Sequence, residues 1–433
     1  MPIRTVPGSD LQYLLICHDA DGAERTDDPD GRLSEVAHQQ LADTAKPVTD
    51  VIFMSHGWLG DVPAAVRQYD SWTGAAQRCE ADMARARSLR PGFRPLVIGL
   101  HWPSLPWGDE EVGAASFADT GANDVDFYAG VLGDTPRLRA ALLEVLSAAA
   151  DAEPDQLPAS VVAAYRTIEA ESRLQSAGPK AAPGADRESF DPQVTFGIAR
   201  ELDEEMPSFG GIGSSRVLAP LRMLSFWKMK DRARRFGETG AHQLARSLQQ
   251  ASAGRDVRFH AMGHSFGCVV MSGLLAGPAD GEGLQRPFRS ATLVQGAVSL
   301  WAYCANLPGA GGGAGYFHPI IAKGRVEGPI VTTQSSFDSA VGRAYPLAAG
   351  FARQVAFGTP GGGPEFPTYG GIGTFGMQGD GLRLLSQDMQ PLSQSYTLQA
   401  GAVHNLKSDG FIKGHSDIAK AEVAHAMWSA ILS

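Results

Sequence analysis

Apolar residues in this chain fall in short unbroken runs separated by polar, glycine-rich or proline-containing stretches. Leu11–Cys17, Val51–Met54, Leu96–Leu100, Val257–Met262, Ala291–Val298, Ile330–Thr333 and Tyr396–Ala402 each read as a strand. Continuous apolar runs, rather than alternating ones, suit strands buried on both faces of a parallel sheet. Between them the pattern takes the helical period. Thr135 is placed to cap a helix whose first residue is Pro136, with Leu138, Leu142, Val145 and Leu146 on one face. Gly237–Gln250 reads as another helix, leading into the Val257 strand. A last helix is expected from about Asp417, as its N-cap, with Val423, Met427 and Ile431 on one stripe. Strands alternating with helices predict an α/β fold built on a doubly wound, mostly parallel sheet.

Two regions interrupt this rhythm. Residues 105–220 are helical, alanine-rich and broken by proline and glycine, and read as an insertion over the sheet, a candidate lid. The division expected is 1–104 and 221–433 as two parts of one core, with 105–220 inserted between them. Pro308–Gly315 and Gly358–Gly376 are rich in glycine and proline and read as long loops, a class often functional.

Composition narrows the partners. With 43% hydrophobic and 19% charged residues, the chain of 433 residues is globular rather than disordered. A net charge of −10 and the lack of a long basic run argue against a nucleic-acid partner. Cys17, Cys79, Cys268 and Cys304 are widely spaced and form no metal-binding pair, so no metal is expected. No run reaches the roughly 18 apolar residues of a membrane span, and no signal peptide is evident at the N-terminus. A cytoplasmic location is therefore expected, with signal-independent export left open.

The strongest chemical signal is Gly263-His264-Ser265-Phe266-Gly267, which matches G-x-S-x-G. A strand-like run precedes it and a helix-like run, Cys268–Leu275, follows. A serine on a sharp strand-to-helix turn projects its hydroxyl, small neighbours let strand and helix approach, and the helix N-terminus favours developing negative charge. Ser265 is the expected nucleophile. The earlier run Val51–Met54 leads into Ser55-His56-Gly57-Trp58-Leu59-Gly60. Acyl transfer needs two N–H donors for the oxyanion, expected from the backbone of Phe266 and of Trp58, with Leu59 as second choice. Gly57 lets that loop approach the substrate, and His56 reads as a loop-orienting residue. Gly57, His264 and Trp102 are the candidate substrate contacts, Trp102 as part of a pocket wall with Trp107.

A serine nucleophile needs a base, and the base an orienting carboxylate. The order Ser, then Asp or Glu, then His confines both to residues after Ser265. His415, in the loop before the last helix, is favoured as base over His404; His318 precedes the acid candidates. Asp338, a few residues past the Ile330 strand, is favoured over Asp380, Asp388 and Asp409, because catalytic groups gather at the carboxyl ends of strands.

These residues together resemble the α/β-hydrolase superfamily. The resemblance rests on His56-Gly57, the Gly263–Gly267 elbow, Asp338 after a late strand and His415 before the last helix, over about residues 10–110 and 225–433. It implies Ser265 as nucleophile, His415 as base, Asp338 as orienting acid, backbone donors near Trp58 and Phe266, and neither cofactor nor metal. The oxyanion loop reads His-Gly-Trp-Leu-Gly rather than the His-Gly-Gly-Gly of some esterases. The expected activity is hydrolysis of a small-molecule or lipid ester through an acyl-enzyme. Alternatives are a thioesterase, amidase or acyltransferase with the same triad, or a catalytically silent binding protein. Transient contact with a membrane surface and the oligomeric state are left open. Met223, Phe226, Trp227 and Met229 read as a buried packing patch, and Arg232, Arg234 and Arg235 as a solvated helix face.

Overall fold

The computed structural model describes residues 3–6, 12–28, 31–58, 60–104, 122–150, 154–201, 215–308, 312–338, 341, 356–357 and 366–433. Its strands are β1 (Ile3–Thr5), β2 (Gln12–Cys17), β3 (Asp50–Ser55), β4 (Pro95–His101), β5 (Arg258–His264), β6 (Ser290–Val294), β7 (Ile330–Gln334), β8 (Ala356–Phe357), β9 (Phe366–Pro367), β10 (Leu384–Asp388) and β11 (Val403–Lys407). Among the described residues, nine of these form one sheet in the order β1-β2-β4-β3-β5-β6-β7-β11-β10, and β8 and β9 form a small ribbon. In the large sheet β1 runs antiparallel to β2, while the other neighbours run parallel.

Helices cover both faces. They are α1 (Leu33–Ala42), α2 (Val62–Gln77), α3 (Glu80–Leu89), α4 (Ala122–Leu132), α5 (Pro136–Ala150), α6 (Ala159–Glu171), α7 (Pro192–Glu201), α8 (Ala219–Phe236), α9 (His242–Ala251), α10 (Phe266–Ala276) and a C-terminal helix, Ala421–Ile431. The strands sort their side chains by the two-residue period. Leu14, Val51, Phe53 and Ile98 pack with α1, α8, α9 and α10, whereas Tyr13, Leu15, Ile52 and Met54 pack with α2 and the C-terminal helix. Burial on both faces is the reason these strands carry unbroken apolar runs.

Of the 105–220 segment, residues 105–121, 151–153 and 202–214, with Trp107 among them, lie outside the described residues. The remainder supplies α4–α7, which share one apolar core with α8 and the α10 face of the sheet. Thr135 caps α5 as expected, its Oγ1 accepting from Leu138 N at 3.1 Å. Residues 309–311 and 358–365 of the two expected loops also lie outside the described residues, as does Leu59. Among the described residues no helix is long and apolar enough to cross a membrane.

Three expectations about elements are corrected. Tyr396–Ala402 is irregular, and the strand is Val403–Lys407. That strand buries polar His404 and Asn405, so it has no apolar run; the Asn405 amide exchanges two hydrogen bonds with Met377 instead. β6 ends at Val294 because Gln295 takes a φ of +44°. The last helix begins at Ala421, and Asp417 does not cap it: its Oδ2 accepts from Lys413 N at 3.1 Å and its Oδ1 pairs with Lys420 at 2.8 Å. Asp417 thereby closes the turn that carries His415.

Candidate active site

Parallel pairing of β3 with β5 sets Ser55 beside Gly263. The loop after β3 and the turn after β5 therefore meet at the carboxyl edge of the sheet, where open α/β sheets place their ligands. Ser265 follows β5 directly and precedes the first residue of α10, with φ +55° and ψ −121°. A serine held there stores about 1–3 kcal/mol of backbone strain. The surroundings over-determine it: Ser265 N donates to Val294 O at 3.2 Å, and Ser265 O accepts from Ala297 N at 3.2 Å. A Cβ on Gly263 would lie 2.4 Å from Gly267 O, and one on Gly267 would lie 2.1 Å from Ser55 O. Both glycines are needed for strand, turn and helix to pack this closely.

The turn aims the serine hydroxyl at an imidazole. Ser265 Oγ donates to His415 Nε2 at 2.8 Å. His415 Nδ1 donates to Asp338, 2.9 Å from Oδ2 and 3.1 Å from Oδ1. Asp338 is fully buried, and a buried carboxylate is tolerable only when donors surround it. Val341 N supplies one at 2.9 Å to Oδ1, and Gln295 Nε2 supplies another at 2.9 Å to Oδ2.

Gln295 was not legible as a functional residue. It is buried at the end of β6, its Oε1 accepts from Thr333 Oγ1 at 2.8 Å, and its backbone N donates to the same hydroxyl at 2.9 Å. This fixes the amide orientation, so the NH2 faces Asp338. The signal available was a lone glutamine ending an apolar strand, Val294-Gln295-Gly296, the next strand after the Ser265 turn in chain order.

His264, expected to touch substrate, has both ring nitrogens engaged within the protein. Its Nε2 donates to His415 O at 3.0 Å, and its Nδ1 accepts from Gln68 Nε2 at 3.3 Å. Burial, reinforced by nearby His415, pushes its pKa down to about 3, so the ring is neutral. It anchors the loop that carries His415 rather than a ligand.

The loop after β3 is built on His56. Its Nδ1 donates to Gly57 O at 2.8 Å and its Nε2 accepts from His101 Nδ1 at 2.9 Å. Burial holds its pKa well below the usual histidine range. His56 N donates to the Tyr69 hydroxyl at 2.9 Å, and Gly60 exchanges hydrogen bonds with Ser104 Oγ at 2.9 and 2.7 Å. Trp102, expected in the pocket wall, is instead fully buried: its Nε1 donates to His56 O at 3.2 Å, and its ring stacks on His56 at 5.8 Å. A Cβ on Gly57 would lie 2.9 Å from Ser265 Cβ, so this backbone presses against Ser265. The next residue is Trp58, whose ring lies 5.9 Å from that of Phe266 and 5.8 Å from that of Phe226. Phe266 opens α10, at the positive end of the helix dipole, where backbone N–H groups have no intrahelical acceptor.

The rival residues are occupied elsewhere. His404 sits within β11 with Gln387 and Gln399 N on its ring nitrogens. Asp409 accepts from Ser336 N at 2.8 Å and Ser336 Oγ at 2.7 Å, bracing the turn that carries Asp338. Phe226, Trp227 and Met229 are buried as expected. Arg234 is not on a solvated face: it bonds Asp231 and Glu238 in a part-buried network with Tyr316. Among the described residues no three His, Cys, Asp or Glu side chains gather where they could hold a metal ion. Compared with known protein families, curated proteins and solved structures, the chain matches none.

Proposed function

We propose that this chain is a serine hydrolase of the α/β-hydrolase type, cleaving a carboxylic ester through an acyl-enzyme. The observation that carries the reading is the unbroken relay from Ser265 Oγ to His415 to Asp338, at 2.8 and 2.9 Å. Its members come from three separate loops at one sheet edge.

In this reading His415 Nε2 takes the hydroxyl proton as Ser265 Oγ attacks the ester carbonyl. Asp338 holds the ring with Nδ1–H towards itself and stabilises the imidazolium. The N–H groups of Phe266 and Trp58 receive the oxyanion. His415 then gives its proton to the departing alcohol. Water, deprotonated by the same ring, attacks the acyl carbon and releases the acid. Half-buried Trp58, its ring backed by those of Phe226 and Phe266, gives the site an apolar aromatic side, which suits an acyl or aryl group better than a charged one.

A fluorophosphonate tests this directly, because it reacts only with an activated serine. Labelling of the intact chain at Ser265, absent from Ser265→Ala, is expected. Equal labelling of the variant, or none of the parent, would refute the assignment. A panel of p-nitrophenyl esters, acyl thioesters and anilides then ranks the leaving groups, with esters expected first.

A further inference from the structure

A separate cavity lies mainly on the sheet face opposite α10, between β2–β5, α2, α3 and the C-terminal helix, and reaches round the sheet edge to Ile3, Leu14, Leu96 and Gln40 of α1. Its volume is about 320 Å3. Protein interiors pack densely and leave few voids larger than a water molecule, so an opening of this size is space kept rather than space overlooked. Its walls are apolar and pliable. Met54, Met83, Met262 and Met427 all line it, with Trp72 and Trp428. Methionine is unbranched and polarizable, and methionine-rich surfaces adapt to flexible apolar ligands.

The charge around this cavity has one sign. Arg87, Arg94 and Lys420 line it, and no carboxylate does, in a chain whose net charge is −10. Tyr13 also lines it, but its hydroxyl donates to Asp70 at 2.8 Å, and burial raises its pKa. Lys420 is held by Asp417 at 2.8 Å, and the Arg94 guanidinium donates from Nη1 to Lys46 O. Arg87 is exposed and Arg94 half-buried, whereas Met54, Met262 and Trp428 are buried, so the two guanidinium groups stand at the mouth and the apolar walls lie behind.

We propose that this cavity binds a fatty carboxylate of medium chain length, its alkyl chain among the methionines and its head group at Arg87 and Arg94. At about 30 Å3 for a water-sized group, the volume holds roughly ten carbons. Guanidinium is the cation best matched to a carboxylate. The site stands apart from Ser265 and does not depend on the reaction proposed there.

The probe is 9-bromononanoate, whose bromine quenches nearby tryptophan fluorescence, titrated into the full chain. Saturable quenching is expected. It should fall by at least half in Trp72→Phe/Trp428→Phe and remain in Trp58→Phe, which reports on the Ser265 site instead. Arg87→Glu/Arg94→Glu should weaken binding at least tenfold, and 9-bromononanol should bind the unmodified chain at least tenfold more weakly than the acid. Shortening the chain should cost about fourfold in affinity per methylene. Absence of saturable quenching, its loss in Trp58→Phe, or equal affinity for acid and alcohol would each overturn the proposal. The comparison of acid with alcohol needs no variant and stands even if a substitution impairs folding.

Discussion

Gln295 and Asp338 are joined by a hydrogen bond of 2.9 Å, from Gln295 Nε2 to the same Oδ2 that accepts from His415 Nδ1 at 2.9 Å. Gln295 thus holds Asp338 at the same oxygen that bonds His415. Gln295→Leu removes that donor and leaves the buried carboxylate short of a partner, a loss of about 1–3 kcal/mol. Turnover of a p-nitrophenyl ester is expected to fall 10- to 100-fold with KM nearly unchanged. Gln295→Glu sets a second carboxyl group beside Asp338 and should shift the acid limb of the kcat profile upward, since two close carboxylates share a proton. An unshifted profile and normal turnover in both variants would remove Gln295 from the site.

The backbone of Ser265, at φ +55°, is a cost that glycine does not bear. Ser265→Gly and Ser265→Ala both lose the hydroxyl, so comparing them isolates the strain. The glycine variant is expected to be the more stable by about 1 kcal/mol in urea denaturation, and both should be inactive. An alanine variant as stable as the glycine one would mean the turn is relaxed.

Stability should fall as the solution is acidified below the ordinary histidine range. Burial lowers the pKa of His18 to about 4 and of His264 to about 3, and also depresses His56 and His260. Below about pH 6.5 the unfolded chain binds protons that the folded chain refuses. Each such residue then contributes a slope of about 1.4 kcal/mol per pH unit, favouring unfolding as pH falls, until its own folded pKa is reached. His425 opposes this trend. Its hydrogen bond to Asp82 raises its pKa, so its contribution is present below the unfolded value and is lost as pH rises through the raised one. Burial lowers His404 as well, so five depressed histidines stand against one raised, and urea midpoints should drop steadily from pH 7 to pH 5. A flat profile there would contradict the burial of these rings in neutral form.

Gly57 and Gly267 should respond differently to alanine. A Cβ on Gly57 meets the side chain of Ser265 at 2.9 Å, so Gly57→Ala should cut activity at least 100-fold while the fold survives with a small drop in Tm. A Cβ on Gly267 meets backbone, Ser55 O, at 2.1 Å. No rotamer relieves that clash, so Gly267→Ala should destabilise by about 3 kcal/mol or more, as overpacking does at its upper range. Circular dichroism melts and ester hydrolysis separate the two effects.

The parallel strands were readable because burial on two faces leaves no alternation to misread. Strands that depart from that rule escaped notice. β10 is an edge strand, largely polar in Ser386, Gln387 and Asp388, and β11 hides His404 and Asn405 behind specific hydrogen bonds. In the candidate site, Ser265, Asp338 and His415 were found by order and context, and the structure brings all three within hydrogen-bonding distance. The supporting residues were not. Gln68 and Gln295, and the anchoring part of His264, which the sequence suggests only as a substrate contact, act through contacts between segments far apart in sequence that the packed sheet and α2 bring together. Trp102 was misread because its position after β4 suggested a pocket wall, whereas its indole turns inward to hold His56 O.

The side-by-side register of β3 and β5 has a kinetic consequence. Ser55 and Gly263 are neighbours in space although the helices α2 to α9 separate them along the chain. Closing so long a connection is entropically slow compared with winding local helices. During refolding from denaturant, helical signal should therefore return well before Ser265 meets the loop after β3, and on the proposed function the recovery of ester hydrolysis marks the moment when the distant halves of the sheet zip together.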